Sequence, residues 1–289
     1  MSLRINPERV AIPLVIAVTG HRDLVTDETP AIREKVRGLL EELQSKYPDR
    51  RLRVMSPLAE GADRLAAEVA LEMGVELIVP LPMPRELYIR DFTSEASIKE
   101  FDALCEQAVE ILDLPLARTN RLQDIEEYGP ARDLQYAQVG IFICAHCHIL
   151  LAIWDGKFTD DLGGTGQVVR FHHDDIMEGF TEHSAASQQM LVDDESDLVY
   201  HIVCSRNRPD GKPHKEFKPL QTWWFTKDED NPRSTSIPYQ HRLIFQRSGE
   251  FSADAKKFGH RIGSECYPLY DEREVDYLPE GIKTIHYLL

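Results

Sequence analysis

Three glycine-containing turns carry the residues of this sequence that could perform chemistry. Each turn follows an apolar run and places a charged or hydroxyl side chain beside glycine. Glycine lets a backbone approach a ligand closely, and the free N–H groups at the start of a following helix attract anions. The turns are TGHR at 19–22, SPLAEGADR at 56–64 and GGTG at 163–166. Together they predict a site for a phosphate-bearing ligand.

The side chains in these turns suggest distinct roles. Arg22 and Arg64 would supply cations for charge-assisted hydrogen bonds to phosphate. Glu60 and Asp63 would bind ribose hydroxyls or orient Arg22, and the N–H groups around Gly164 would face the phosphate. The predicted ligand-binding residues are Gly20, His21, Arg22, Ser56, Glu60, Gly61, Ala62, Asp63, Asp155, Gly163, Gly164, Thr165 and Gly166.

The two common phosphate-binding fingerprints are absent. No G-x-G-x-x-G follows the first predicted strand, and G-x-x-x-x-G-K-[ST] occurs nowhere in the sequence. One glycine turn alone often serves backbone geometry, whereas three turns at one sheet edge favour a ligand. His21 fits a phosphate contact, a general base and a purely structural position. We predict no metal ion and no cofactor apart from the nucleotide-like ligand.

The hydrophobic pattern alternates between strands and helices from residue 10 to about residue 205. Apolar and β-branched runs predict strands at 10–18, 51–56, from 75, at 148–154 and at 197–205. Helical spacing of apolar residues predicts helices at 31–47, 65–73, 94–112, 131–145 and from 167. This alternation predicts an α/β fold with a doubly wound, mostly parallel, Rossmann-like sheet and ligand-binding turns at the strands' carboxyl ends.

The character of the chain changes at residue 206. We predict a ligand-binding domain at 1–205 and a C-terminal appendage at 206–289, which begins with the polar, Pro- and Gly-containing RNRPDGKPHKEFKP. LQTWWFT predicts an edge strand, and GEFSADAKKFGHRI is weakly helical. The apolar end KTIHYLL leaves open a truncation before a further C-terminal part.

Composition restricts the partners. The 289 residues carry a formal net charge of −16 without a Lys/Arg-rich run, which disfavours nucleic acid. No apolar run reaches the roughly 18 residues of a membrane span, and we read no secretion signal. Five dispersed cysteines suit reduced thiols in a cytoplasm. We therefore expect a cytoplasmic protein that binds a small nucleotide-like molecule. We also expect it to form a homo-oligomer.

Two histidine-containing clusters invite a metal or haem interpretation. CAHCH at 144–148 matches the C-x-x-C-H haem-attachment pattern, but we favour thiols packed between a helix and a strand. FHHDD at 171–175 is compatible with a divalent cation, and here we favour a solvated stretch after the glycine turn.

Five segments, taken in order, resemble the SLOG superfamily, which links Smf/DprA proteins, LOG nucleotide phosphoribohydrolases and the N-terminal region of TRPM channels. They are VIAVTGHRDL, SPLAEGADRLAAEVA, VPLPMPRELYIRDF, LLAIWDG and GGTGQVV, and the resemblance covers about 10–170. It implies a Rossmann-like fold that binds nucleotides or nucleotide-derived, ADP-ribose-like signals. Several bacterial members resemble sensing modules of signalling or defence systems.

The LOG motif P-G-G-x-G-T-x-x-E, whose acid takes part in cleaving an N-glycosidic bond, is matched only in part. Its glycines correspond to Gly163, Gly164 and Gly166, whereas Leu162, Gln167 and Arg170 replace the proline, threonine and glutamate. A cation cannot act as a general base, so the resemblance implies binding rather than hydrolysis.

Two alternatives stay open. The first is a nucleotide N-glycosidase or deoxyribosyltransferase in which Asp155, Asp160 or Asp174 replaces the missing acid. The second is a DprA-like DNA-binding protein, which the acidic charge disfavours.

Overall fold

The apolar run from Leu14 forms an inner strand of one large sheet. The computed structural model describes residues 12–117, 120–159, 161–181, 197–227 and 232–250. The strands are β1 (Leu14–Gly20), β2 (Leu52–Met55), β3 (Glu76–Leu81), β4 (Glu110–Asp113), β5 (Ile149–Trp154), β6 (Val199–Val203), β7 (Thr222–Phe225) and β8 (Arg233–Ser234). Their order in the sheet is β4-β3-β2-β1-β5-β6-β7-β8. Strands β1 to β6 pair in parallel with one another, whereas β7 is antiparallel to both β6 and β8.

Helices connect the parallel strands and cover both faces of the sheet. They are α1 (Thr29–Lys46), α2 (Ala62–Glu72), α3 (Arg85–Tyr88), α4 (Glu95–Gln107), α5 (Pro130–Ala145), α6 (Thr165–Asp174) and a helical segment at 239–250, α7. Successive side chains of a strand point to opposite faces. Ile16 and Val18 accordingly pack in the core with α1, α2 and α4, whereas Val15 and Ala17 pack with α5 and α6. The predicted doubly wound, mostly parallel, Rossmann-like α/β fold is confirmed.

The helix predicted at 94–112 is wrong at its C-terminal end. Ser94 caps the helix by accepting the N–H of Ser97, and the helix ends at Gln107. The backbone of Ala108 is extended, and the following residues form β4, which pairs with β3. β4 lies at the edge of the sheet, and of its two apolar residues Ile111 is exposed and Leu112 is half-buried, so its pattern did not stand out from that of the helix before it.

The chain after residue 205 contributes to the same sheet. The segment LQTWWFT contains β7, but β7 is not the edge strand that we predicted because β8 pairs with its outer side. Trp224 is buried and Trp223 is half-buried, as expected for neighbours in a strand. The boundary at 205 remains a prediction, and most of GEFSADAKKFGHRI lies outside the described residues.

Both histidine-containing clusters contain buried residues. The thiols of Cys144 and Cys147 pack in the core, and burial raises the pKa of Cys147 to about 12. The prediction that FHHDD is solvated was wrong for its histidines. His172 and His173 are buried at the end of α6, since the helix turns this face toward β6 and β7. Among the described residues, no helix has the length and apolarity needed to cross a membrane.

Buried neutral histidines should make this fold sensitive to acid. Burial lowers the pKa of His201 to about 4, and its Nε2 lies 3.0 Å from the carbonyl oxygen of Trp154. The unfolded chain therefore takes up a proton below about pH 6.5 that the folded chain refuses, so stability is lost as pH falls from about 6.5 to about 4. We expect His201→Gln to flatten the fall of Tm across this window in thermal unfolding experiments.

The control is His214→Gln, which changes a more exposed histidine. It should leave the wild-type acid dependence intact. An unchanged slope in His201→Gln would show that other groups cause the acid sensitivity.

Candidate ligand-binding site

A cavity of about 290 Å³ opens where β1 and β5 end. From β1 the chain proceeds through β2, β3 and β4 on one side, and it returns to β5 on the other side. This is the topological switch point of the sheet, where diverging connections leave a crevice outside the carboxyl ends of the strands. The predicted residues that line the cavity are Gly20, His21, Arg22, Asp63, Asp155, Gly163, Gly164, Thr165 and Gly166.

Of the other four predicted residues, Ser56, Gly61 and Ala62 shape the walls instead of lining the cavity. The hydroxyl of Ser56 donates to the carbonyl oxygen of Asp63 at 3.1 Å and accepts the N–H of Leu58 at 3.2 Å. The N–H of Ala62 donates to the carbonyl oxygen of His21 at 3.1 Å. Gly61, immediately before α2, has φ of +83°, a conformation that glycine adopts without strain.

The first and second turns interlock through two glycines. A Cβ on Gly20 would lie 2.4 Å from the Cβ of Ala62 and 2.7 Å from the carbonyl oxygen of Ile153. A Cβ on Gly61 would lie 2.3 Å from the carbonyl oxygen of Arg22. All three distances are shorter than atoms tolerate, so the contact between the loop after β1 and the start of α2 requires glycine at both positions.

Glu60 is bound elsewhere and does not orient Arg22. It accepts the N–H of Thr93 at 2.9 Å and the hydroxyls of Thr93 and Ser97. Burial opposes its charge, but these hydrogen bonds prevail and lower the pKa of Glu60. Glu60 lines an open groove beside the cavity, and Arg22 belongs to both linings.

Arg64 is also unavailable to a ligand. It is buried, its Nε donates to the carbonyl oxygen of Leu58 at 3.0 Å, and its Nη1 lies 2.7 Å from Glu100. This arginine joins α2 to α4, so the prediction that it supplies a ligand-binding cation was wrong.

His21 and Asp155 meet at the floor of the cavity. The Nε2 of His21 lies 3.0 Å from Oδ1 of Asp155, which also accepts the N–H of Lys157 at 3.1 Å. Burial opposes the charge of Asp155, and His21 and Lys157 outweigh it, so the pKa of Asp155 is lowered. Asp155 is 1% exposed, and like His21 it lines the cavity.

Asp63 lies in a contrasting environment at the start of α2. It is 5% exposed, and no cation among the described residues comes within 4 Å of its carboxylate. Burial raises the pKa of Asp63 to about 7, although Arg22, the N–H of Ala59 and Arg64 favour the charged form. At neutral pH this cavity-lining group is partly protonated and can donate a hydrogen bond as well as accept one.

The third turn packs tightly against α5. Gly163 has φ of +74°, and a Cβ there would lie 2.7 Å from the backbone nitrogen of Ala137 and 2.8 Å from the Cβ of Tyr136. The N–H of Gly163 donates to Oε1 of Gln167 at 3.2 Å. The N–H of Gly164 itself donates to the carbonyl oxygen of Asp161 at 2.8 Å.

The free donors of this turn lie one and two residues later. Among the described residues, the N–H groups of Thr165 and Gly166 have no hydrogen-bond partner. They belong to the first turn of α6, where the backbone amides and the helix dipole both favour an anion. Both residues line the cavity.

Sequence reasoning missed several lining residues. Lys157, Arg206, Arg208 and Tyr136 also border the cavity. Arg206 was placed in the appendage, yet its Nε lies 2.8 Å from Oδ1 of Asp23. The sequence pattern could have indicated Arg206, since it predicted a parallel strand that ends at residue 205. β6 is parallel to β5, so the residues that follow β6 emerge at the same edge of the sheet as the cavity.

Of the substitutes considered for the missing LOG-type acid, Asp155 lines the cavity and Asp174 does not. Arg170 lies over the ring of Phe158 and does not line the cavity, so its charge says little about chemistry there. Asp174 is likewise absent from the lining, and residue 160 lies outside the described residues. In the described part of the chain, no three His, Cys, Asp or Glu side chains are arranged to hold a metal ion.

The comparisons with known proteins give a distant structural similarity. No family model and no curated protein matches the sequence. A solved structure of DNA processing protein A (DprA) from Streptococcus pneumoniae is similar with a TM-score of 0.37 and 14% identity. The match covers 66% of this chain and 50% of the DprA chain, so the chain corresponds to about half of that protein.

The contact between Gly163 and α5 can be tested by a matched pair of substitutions. Gly163 and Gly74 both have positive φ, but a Cβ on Gly74 would meet nothing within 4 Å. The two alanine variants therefore share the backbone strain, and only Gly163→Ala adds the clash with α5. We expect Gly163→Ala to lower the free energy of unfolding by about 1–3 kcal/mol more than Gly74→Ala, measured by urea denaturation. Equal losses would mean that α5 yields to the added methyl group.

Proposed function

We propose that this protein binds a nucleotide or a nucleotide-derived, ADP-ribose-like anion in the cavity between β1 and β5 and acts as a ligand-sensing module. The observation that carries the proposal is the pair of unpaired N–H groups of Thr165 and Gly166 in a cavity at the switch point of the sheet. Such groups at a helix start bind phosphate without a dedicated sequence fingerprint.

The charges around the cavity support an anionic ligand. Arg22, Lys157, Arg206 and Arg208 line it in a chain whose net charge is −16. Arg22 and Arg208 form no ion pair with the described residues, so their charges are available to a ligand. An arginine can bind two phosphate oxygens through its planar fork of donors.

The sequence resemblance to the SLOG superfamily supports a nucleotide-derived ligand and a regulatory role in signalling or defence. We retain as expectations a cytoplasmic location, a homo-oligomer and the absence of nucleic acid binding. A thermal-shift screen with nucleotides, NAD, ADP-ribose and cyclic dinucleotides tests the ligand class. A ligand present at about 100 times its Kd should stabilise the fold by about 2.7 kcal/mol.

A carboxylate at the start of α6 should separate folding from binding. Thr165→Asp places a negative charge at the first position of α6, where it favours the helix dipole but repels an anionic ligand. We expect an unchanged or raised Tm and a loss of affinity of about tenfold or more, measured by calorimetric titration with the best nucleotide from the screen.

The matched control is Thr29→Asp, at the first position of α1 and outside the cavity lining. It should bind the ligand as the wild type does. Wild-type affinity in a folded Thr165→Asp variant would refute phosphate binding at α6.

Protonation of Asp63 should strengthen anion binding. The raised pKa of Asp63, about 7, means that its carboxyl group is neutral below this pH and adds a negative charge to the cavity above it. We expect the affinity for the nucleotide to fall as pH rises from about 6 to about 8. Asp63→Asn should remove that dependence while keeping an acceptor for the N–H of Ala59, and a pH dependence that persists in Asp63→Asn would contradict the assignment.

A second candidate function is hydrolysis or transfer at an N-glycosidic bond, and the contact between His21 and Asp155 is the observation that favours it. Asp155 would orient His21, and His21 would act as the acid or base. The test is the release of free adenine from adenosine monophosphate and from ADP-ribose. Turnover that disappears in His21→Ala would establish the enzyme, whereas nucleotide binding without turnover supports a sensor.

A further inference from the structure

Arg22 needs a support that its own turn does not provide. The residue follows β1 in an irregular loop, and no carboxylate of the described residues lies within 4 Å of its guanidinium. An arginine in such a loop loses much rotamer freedom when a ligand orders it. The guanidinium carbon instead lies 5.2 Å from the centre of the Tyr136 ring.

Tyr136 is itself anchored by a buried ion pair. Its hydroxyl donates to Oδ2 of Asp91, and Oδ1 of Asp91 lies 2.6 Å from Nη2 of Arg132. The side chains of Asp91 and Arg132 are each 2% exposed. Arg132 is fixed in turn by the carbonyl oxygens of Ile125 at 2.8 Å and Leu87 at 3.0 Å.

The tyrosine also contacts the third glycine turn. Position 163 has no room for a Cβ because the backbone and Cβ of Tyr136 lie within 2.8 Å of it. One residue of α5 therefore touches both the cation after β1 and the turn before α6. Burial raises the pKa of Tyr136 to about 12, so its phenol keeps its proton and remains a donor to Asp91 at neutral pH.

We propose that Tyr136 is a positioning residue for Arg22: its ring supports the guanidinium, and its hydroxyl is fixed by Asp91 and Arg132, so that Arg22 faces the anion-binding start of α6. The role of Arg22 toward an anion rests on the proposed function, but the support of Arg22 by Tyr136 does not. The two parts are therefore tested by separate measurements.

The first measurement needs no ligand. Phenylglyoxal labels accessible arginines, and peptide mass spectrometry gives the labelling rate at Arg22. We expect a rate about fivefold higher in Tyr136→Phe, which loses the hydroxyl contact, and a higher rate still in Tyr136→Leu, which loses the ring as well.

The control is Tyr200→Phe, which removes a hydroxyl from a half-buried tyrosine of β6 outside the cavity lining. Arg22 of this control variant should be labelled at the wild-type rate. A wild-type labelling rate in folded Tyr136→Leu would overturn the proposal, and if this variant does not fold, the rate in Tyr136→Phe decides in the same way.

The second measurement is calorimetric titration with pyrophosphate. If Tyr136 acts through Arg22, Tyr136→Leu should weaken binding about fivefold or more on its own, yet cause no further loss in an Arg22→Ala background. Equal losses in both backgrounds would contradict positioning while leaving anion binding in place. Absence of pyrophosphate binding in the wild type would count against the proposed function, and the labelling rates would still decide the role of Tyr136.

Discussion

The close approach of backbone segments at the carboxyl end of β1 is the constraint on which the rest of the site depends. Gly20 and Gly61 have no space for a side chain because the loop after β1 lies directly against the start of α2. Gly163 has the same restriction against α5. These close contacts hold three segments of the cavity wall in fixed positions relative to one another. Such walls are preformed, and a ligand that enters them meets groups whose ordering was completed during folding.

An acidic protein can attract an anion because the interaction between two charges weakens with distance and with screening by salt. The charges nearest to the anion therefore dominate. At physiological salt, exposed charges farther away than about 8 Å are largely screened. An anion in the cavity would therefore respond mainly to Arg22, Lys157, Arg206 and Arg208 and to the start of α6, and much less to the net charge of −16. The same argument explains why the acidic composition disfavours a long polyanion, which would extend beyond the cavity, more strongly than it disfavours a small ligand.

The sequence predicted the order of the elements more successfully than the identity of the groups that face the cavity. Buried parallel strands such as β1 and β5 are nearly uniform apolar runs, so their positions and the switch point follow from hydrophobicity. The partners of polar side chains do not follow, because they depend on which helix each one meets. Arg64 and Glu60 look like ligand residues in the sequence, but α4 and the segment before it provide their partners.

β4 and Tyr136 are two further features that local sequence patterns did not predict. β4 is short and exposed, so its pattern merged with that of α4. Tyr136 lies in the middle of a helix, away from every glycine turn, and only the packing of α5 beneath the third turn brings it to the cavity. Local spacing cannot indicate such a contact, because it joins segments that are distant in the chain.

The environments of the two buried carboxylates bear on the choice between binding and turnover. Asp155 is ionised beside His21 because its pKa is lowered, whereas Asp63 lines the same cavity with a raised pKa. Two groups whose pKa values are pushed in opposite directions are typical of acid–base catalysis, but both must reach the reacting atoms. Asp155 lies 3.0 Å from His21, so an enzymatic role would use this pair together with Asp63. A sensor needs no proton transfer. In a sensor, the same residues would only set the charge and the hydrogen bonds that the ligand meets.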